Sequence, residues 1–181
     1  MTKQQQFLSY AHAFLVAADG HATAAKEKGV YGEVDGMMCI IALQNSVVGA
    51  ARTLGKGHHA VQQYSKVAGD LKDVRDMLVH FDAYAVGDGK LQEKAAGVAQ
   101  VSKKNESVES EVFGWMTQWA TDETMIILNR RKGDFEATLY EVPIHAALRN
   151  VAILVAVGVK SIREKPSPLL RRLTADGGAS T

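Results

Sequence analysis

Apolar residues recur every three or four positions through most of the first half of the chain, which is typical of amphipathic α-helices. This pattern predicts a first helix over residues 3–27 and a second that Asp35 caps and that ends at Gly55. The clearest stripe lies in residues 66–90, where a helix is predicted to end at the run 87–89. Its apolar positions are spaced by four, three, four, three and four residues: Val67, Leu71, Val74, Leu78, Phe81 and Ala85.

The start of this central helix has two interpretations. A third helix is predicted to begin near His59 and to run into the central stripe, with an irregularity at Gly69 and Asp70. Alternatively, Asp70 caps a separate helix, because a short carboxylate side chain can accept hydrogen bonds from a first helical turn. A short amphipathic segment over residues 91–101 then leads into the polar stretch 102–110.

The pattern changes after residue 110, where Trp, Phe, Ile, Thr and Tyr become frequent. These residue types favour β-strands, and a turn with glycine separates the last two segments. We therefore expect a small antiparallel sheet of two or three strands. Its segments are residues 112–120, 124–129 and 135–142, with the turn at 130–134.

A final helix is predicted to start at Pro143, since proline is tolerated in a first helical turn. It is apolar nearly all round, which indicates a core helix. Its longest apolar run, Val151 to Val159, is far shorter than the roughly 20 residues of a membrane span, so we expect no membrane association. The predicted fold is mainly α: one helical-bundle domain over 1–165, with a β insertion at 112–142 and a flexible C-terminal tail at 166–181.

Composition narrows the class of protein. A chain of 181 residues with 46% hydrophobic and 23% charged residues is long and apolar enough to bury one core. The formal charge of +1 gives no global signal for nucleic-acid binding, so such binding would need a local basic patch. The single cysteine, Cys39, rules out an internal disulfide framework and fits a reducing cytoplasm. Its apolar neighbours indicate a structural thiol.

Arg75, Asp76 and His80 are the residues best suited to chemistry. A histidine titrates near neutrality, so His80 can both accept and return a proton. Asp76 precedes His80 by four residues, which places it where its carboxylate can orient the ring. The guanidinium of Arg75 can stabilise a phosphate through paired hydrogen bonds. Such a set is suited to cleaving RNA without a metal, with the 2′-hydroxyl as the attacking group.

The run from Arg75 to His80 resembles the signature of the HEPN superfamily, in which an arginine, a polar residue and a histidine form the active site of helical ribonucleases. The resemblance implies a helical bundle that forms a homodimer and cleaves RNA without cofactor or metal, leaving a cyclic phosphate. It implies that Arg75 binds the phosphate, that His80 transfers the proton, and that Asp76 takes the polar position. Members of the superfamily often act as toxins or antiviral effectors, so a protein antitoxin or other partner is also expected.

Other residues are candidates for substrate contact. Asp73 and Tyr84 lie on the same predicted helix face as Asp76 and His80. Arg130, Arg131 and Lys132 form a basic turn that could touch an RNA backbone. No metal site is predicted, because the adjacent His58 and His59 point apart on a helix and lack partners at ligand spacing.

Two hypotheses therefore remain open at the level of the sequence. The first is the cytoplasmic ribonuclease. The second is a non-catalytic helical interaction or adaptor protein, in which Arg75 pairs with Asp82 or a neighbouring helix and His80 is held by Asp76. On a straight helix Arg75 and His80 point about 140° apart, so cooperation requires the long arginine side chain, a helix distortion or a second subunit.

Overall fold

The computed structural model describes residues 1–85, 89–92, 114–120, 122–130 and 137–175. It confirms a mainly helical protein with a small antiparallel sheet before the final helices. The helices are α1 (Lys3–Lys28), the short 3₁₀ helix η1 (Gly29–Tyr31), α2 (Glu33–Leu54), α3 (His59–Val67), α4 (Leu71–Val79), α5 (Phe81–Ala85), α6 (Ile144–Ser161) and α7 (Pro168–Ala175). The strands are β1 (Gly114–Trp119), β2 (Thr124–Arg130) and β3 (Thr138–Pro143).

The long helices α1 and α2 form an antiparallel hairpin. Small residues let their backbones approach closely: a Cβ on Gly49 would lie only 2.9 Å from the Cβ of Ala11. The Ser46 hydroxyl also donates to the carbonyl of Ala11 at 2.8 Å, which satisfies a buried hydroxyl across the interface. The predicted cap at Asp35 is wrong, because α2 already begins at Glu33.

The central stripe is not one helix but three. Gly69 has φ +53°, a left-handed conformation that glycine adopts easily, and it separates α3 from α4. Asp70 does precede α4, as the alternative interpretation expected, but its carboxylate makes no cap. It accepts instead from the backbone N–H of Glu141 in β3 at 2.9 Å, so a contact with the sheet fixes the start of α4. A second break, at His80, separates α4 from α5.

The sheet has the order β1-β2-β3 and both strand pairs are antiparallel. Trp119 is paired with Met125 near the β1–β2 turn, and Gly114 with Arg130 at the opposite end. The three predicted strands are thus confirmed over the described residues. One face of the sheet packs on the helices and buries Trp119, Met125, Ile127, Asn129, Tyr140 and Val142.

The C-terminal part differs from its prediction. Pro143 ends β3 and precedes α6 rather than lying inside its first turn. Residues 166–181 were expected to form a flexible tail, but Pro168 to Ala175 form α7. This helix packs on α6 because Leu170 and Leu173, three residues apart, are both buried. Residues 176–181 lie outside the described part of the chain.

Helices α2 and α6 are long and apolar enough to meet the criteria for a membrane span. In each, 44% of the apolar window is buried inside the protein. Core helices of globular proteins meet the same criteria, so this property does not identify a membrane protein.

Candidate functional site

Helix α4 carries the three predicted residues Arg75, Asp76 and, directly after its last turn, His80. Its apolar side is anchored by Val74 and Met77, which are both fully buried, and the helix packs against α2 and β3. This packing orients the polar side of α4, because rotating the helix would expose the two buried side chains. The site therefore rests on a fixed element of the fold.

Arg75 and Asp76 form an ion pair. Nη1 of Arg75 lies 2.9 Å from Oδ1 of Asp76, and the two side chains are 29% and 40% exposed. Nζ of Lys72 lies 3.7 Å from the other carboxylate oxygen of Asp76. Nε of Arg75 is buried and has no hydrogen-bond partner among the described residues. The guanidinium thus keeps an unsatisfied donor, and Asp82, proposed as a partner, does not pair with it among the described residues.

His80 is exposed and lies at the C-terminal cap of α4, with φ −112° and ψ 34°. Its backbone N–H donates to the carbonyl of Asp76 at 3.2 Å. In the described residues no hydrogen bond joins its ring to the Asp76 carboxylate, so Asp76 serves Arg75 rather than His80. The structure thus places Arg75, Asp76 and His80 on one helix and joins the first two by a direct contact.

Tyr84 was a candidate for substrate binding, but it is buried. Its hydroxyl accepts from the backbone N–H of Leu91 at 3.2 Å, and its carbonyl accepts from the Gln92 side chain at 3.0 Å. A Cβ on Gly89 would lie 2.4 Å from the ring, so glycine is needed at this contact. Burial raises the pKa of the Tyr84 hydroxyl. Tyr84 therefore contacts residues 89–92, and its burial does not favour the predicted contact with substrate.

Asp73 stays at the surface of α4, partly exposed and 3.9 Å from Lys72 Nζ. Arg130 ends β2 and is partly buried, and its Nε has no hydrogen-bond partner in the part of the chain that the structure describes. The other two residues of the predicted basic turn, Arg131 and Lys132, lie outside the described residues. The structure therefore neither joins this turn to the α4 residues nor separates it from them.

Asn129 is a buried polar residue that the sequence interpretation missed. Its Nδ2 donates to the carbonyl of Leu91 at 3.3 Å, whereas its Oδ1 is buried and finds no partner within the described ranges. The signal was present: Met125, Ile127 and Asn129 alternate along β2, so the residue at 129 falls on the buried face. Asn129 connects the sheet to Leu91, which Tyr84 also binds.

Within the described ranges no group of three or more His, Cys, Asp or Glu side chains is arranged to hold a metal ion. Cys39 is buried, and burial raises its pKa to about 12, so its thiol remains protonated at neutral pH.

Comparisons of this chain with protein-family models, with curated proteins and with solved structures find no match.

Proposed function

We propose that this protein is a HEPN-like ribonuclease that cleaves RNA without a metal, with its site at the C-terminal end of α4. The observation that carries the proposal is the end of α4 at Val79, directly before His80. A straight helix would hold Arg75 and His80 about 140° apart. The helix stays regular from Arg75 to Val79, so the long arginine side chain or a second subunit brings the two groups together, and the end of α4 leaves His80 exposed to take part.

Each residue has a role in the proposed reaction. Arg75 binds the scissile phosphate, since its side chain is 29% exposed and its guanidinium has donors besides the Nη1 bound to Asp76. His80 takes the proton from the 2′-hydroxyl as its oxygen attacks phosphorus. The bond from phosphorus to the 5′-oxygen breaks, and that oxygen takes a proton from a protonated histidine. The products are a 2′,3′-cyclic phosphate and a 5′-hydroxyl.

A homodimer would supply the second histidine. Val79 and Phe81, on either side of His80, are 39% and 59% exposed. Exposed apolar side chains beside a polar site favour a protein contact, because burying them releases ordered water. We infer that a second copy covers this edge and brings its own His80 to the cleft.

The test is degradation of cellular RNA by the purified protein in the presence of EDTA. We expect His80→Ala and Arg75→Ala each to lower the cleavage rate by roughly 10²–10⁴-fold, the usual contribution of a proton-transfer or phosphate-stabilising group. His59→Ala is the matched control, because His59 is exposed on α3, outside this site. Cleavage that persists unchanged in both site variants would overturn the proposal.

The alternative is a non-catalytic interaction protein, and one surface favours it. Val30, Tyr31 and Val34 are largely exposed where α1 turns into α2. Adjacent exposed apolar residues of this kind are typical of protein-binding surfaces. Under this alternative, the double substitution Tyr31→Ser and Val34→Ser abolishes the self-association that light scattering measures. The unmutated protein also leaves RNA intact. A wild-type protein that is monomeric at every concentration contradicts self-association through this surface.

A further inference from the structure

A cavity of about 560 Å³ lies between α1, α6 and α7, beside the β1–β2 turn. The proposed ribonuclease does not use it. Strand β2 runs from Thr124, next to this turn, to Arg130, and seven strand residues extend roughly 20 Å. The cavity therefore lies at the opposite end of the sheet from Arg130. Its polar lining residues are Asp19, Thr23, Lys26, Glu123, His145, Arg149 and Arg172.

Glu123 fixes one wall of the cavity. Its φ of +62° is rare for a residue with a side chain, so several contacts must hold it. Its carbonyl accepts from the backbone N–H of Ile144 at 3.1 Å. Its carboxylate, only 15% exposed, lies 2.8 Å from Lys26 Nζ and 2.7 Å from His145 Nε2. The β1–β2 turn is thereby tied to both α1 and α6.

The charges in the cavity do not cancel. Arg172 pairs with Asp19 at 2.6 Å, and Lys26 pairs with Glu123. Arg149 is exposed on α6 and has no carboxylate partner within the described part of the chain. The lining thus holds the three cations Lys26, Arg149 and Arg172 against the two carboxylates of Asp19 and Glu123. An anionic ligand would compensate the excess.

A second cavity of about 280 Å³ adjoins the first, since Lys26 and Glu123 line both. Its other lining residues are Gly29, Val30 and Trp119, which are mostly apolar. An apolar cavity thus lies next to the cationic one. Ligand sites combine these two features, with apolar walls for most of the ligand and a few polar groups that set its orientation.

We propose that the two cavities together bind a small phosphorylated molecule with an apolar or aromatic body. The cations of the first cavity come from three helices, α1, α6 and α7. Donors that approach from several directions suit a tetrahedral phosphate better than a planar carboxylate, and guanidinium groups bind phosphate through paired hydrogen bonds. The apolar body lies against Trp119 and Val30.

The experiment is a titration of the full chain with phenyl phosphate, followed by ³¹P NMR. We expect saturable binding, weaker binding of inorganic phosphate, which lacks the apolar body, and weaker binding of benzoate, which has a planar carboxylate. Arg149→Gln should weaken the binding of phenyl phosphate about tenfold, as expected for the loss of one charge-assisted contact. Arg171→Gln is the control, because it removes the same charge from exposed α7 surface outside the cavity.

Three outcomes would overturn the proposal. The first is the absence of saturable binding by the wild-type chain. The second is an equal effect of Arg149→Gln and Arg171→Gln while both variants keep the wild-type melting temperature, which would indicate a diffuse effect of charge. The third is displacement of phenyl phosphate by an RNA oligonucleotide at equal phosphate concentration, which would assign the cavity to RNA.

Discussion

The two ends of the three-stranded sheet differ in whether their polar atoms have bonding partners. At the β1–β2 turn, Glu123 is bound by Lys26 and His145, and its carbonyl also accepts a backbone hydrogen bond. At the other end, Asn129 and Arg130 each have a buried polar atom that has no partner among the residues the structure describes. One end of the sheet has its polar groups paired, and the other leaves some of them unsatisfied.

This difference carries a free-energy consequence. A buried donor or acceptor without a partner costs about 1–3 kcal/mol, whereas a satisfied one costs little. Such unsatisfied groups are few in native proteins, and functional sites are one place where they occur. Arg75 Nε on α4 is a third atom of this kind. The comparison therefore separates a turn whose polar groups are paired from a region in which buried polar atoms lack a partner among the described residues.

Replacing a glycine at each end of the sheet tests how firmly that end is attached. These substitutions have the largest expected effect on stability. A Cβ on Gly36 of α2 would lie 2.5 Å from the Trp119 ring, near the β1–β2 turn. Alanine gains about 1 kcal/mol of helix propensity over glycine, but overpacking costs about 1–3 kcal/mol and more for a rigid neighbour. We expect Gly36→Ala to lower the free energy of unfolding by about 1–2 kcal/mol in urea denaturation.

Gly89→Ala makes the corresponding change at the other end, where the Cβ would meet the Tyr84 ring at 2.4 Å. Because residues 89–92 lie outside the helices and strands, we expect a smaller global loss and faster hydrogen exchange at Leu91. Gly20→Ala is the control, since nothing lies within 4 Å of its added methyl group. It should stabilise α1 by about 0.5–1 kcal/mol. Equal effects of all three substitutions would show that the ring contacts do not limit packing.

The sequence pattern predicted the elements whose apolar spacing is uninterrupted. Helices α1 and α2 and the three strands follow from local periodicity and residue type. The break at Gly69 was among the predicted alternatives, as an irregularity at Gly69 and Asp70, whereas the break at His80 escaped prediction because the spacing of four and three residues continues across it. Contacts distant in sequence determine them: Asp70 binds Glu141, and Val74 and Met77 are buried where α4 packs on α2 and β3.

The candidate residues also divide into those that a local sequence pattern could select and those that it could not. Arg75, Asp76 and His80 were selected by residue type and spacing, which a sequence displays directly. Glu123 and Lys26 are 97 positions apart, from 26 to 123, and no local pattern could connect them. Tyr84 was assigned to the site because its position matched a helix face, but the helix breaks before it. Spacing is informative only as far as the element that carries it continues.

Low pH should weaken the stabilisation that Glu123 provides at the β1–β2 turn, where it is bound by Lys26 and His145. The Lys26 ammonium, through its hydrogen bond, is the main cause that lowers the pKa of Glu123 below its ordinary value of 4.5, and His145 adds to the effect. The folded protein then binds fewer protons than the unfolded chain just below that pH. Its stabilisation is therefore complete above about pH 4.5 and is lost as the pH falls through the lowered pKa.

Glu123→Gln should remove this part of the pH dependence. Urea denaturation at a series of pH values should show a shallower decline below pH 4.5 for the variant, and a loss near neutral pH of about 1 kcal/mol or less. Glu164→Gln is a suitable control, because Glu164 lies outside this cluster. A wild-type slope retained in Glu123→Gln would place the acid sensitivity elsewhere.

The smallest expected effect comes from a comparison of two lysines, Lys72 on α4 and Lys26 beside the β1–β2 turn. Lys72 is 71% exposed and lies 3.7 Å from Asp76, a partner that is itself 40% exposed. Exposed pairs at helical spacing contribute about 0.3–0.5 kcal/mol, since water and salt screen them. We expect Lys72→Ala to change the free energy of unfolding by no more than that, and Lys26→Ala, which leaves the less exposed Glu123 without its lysine, to cost more. The free energy of unfolding of both variants is to be measured in low and high salt. A larger loss for Lys72→Ala than for Lys26→Ala would mean that the ion pairs on α4 form a network, and that Asp76 is as firmly held as Glu123.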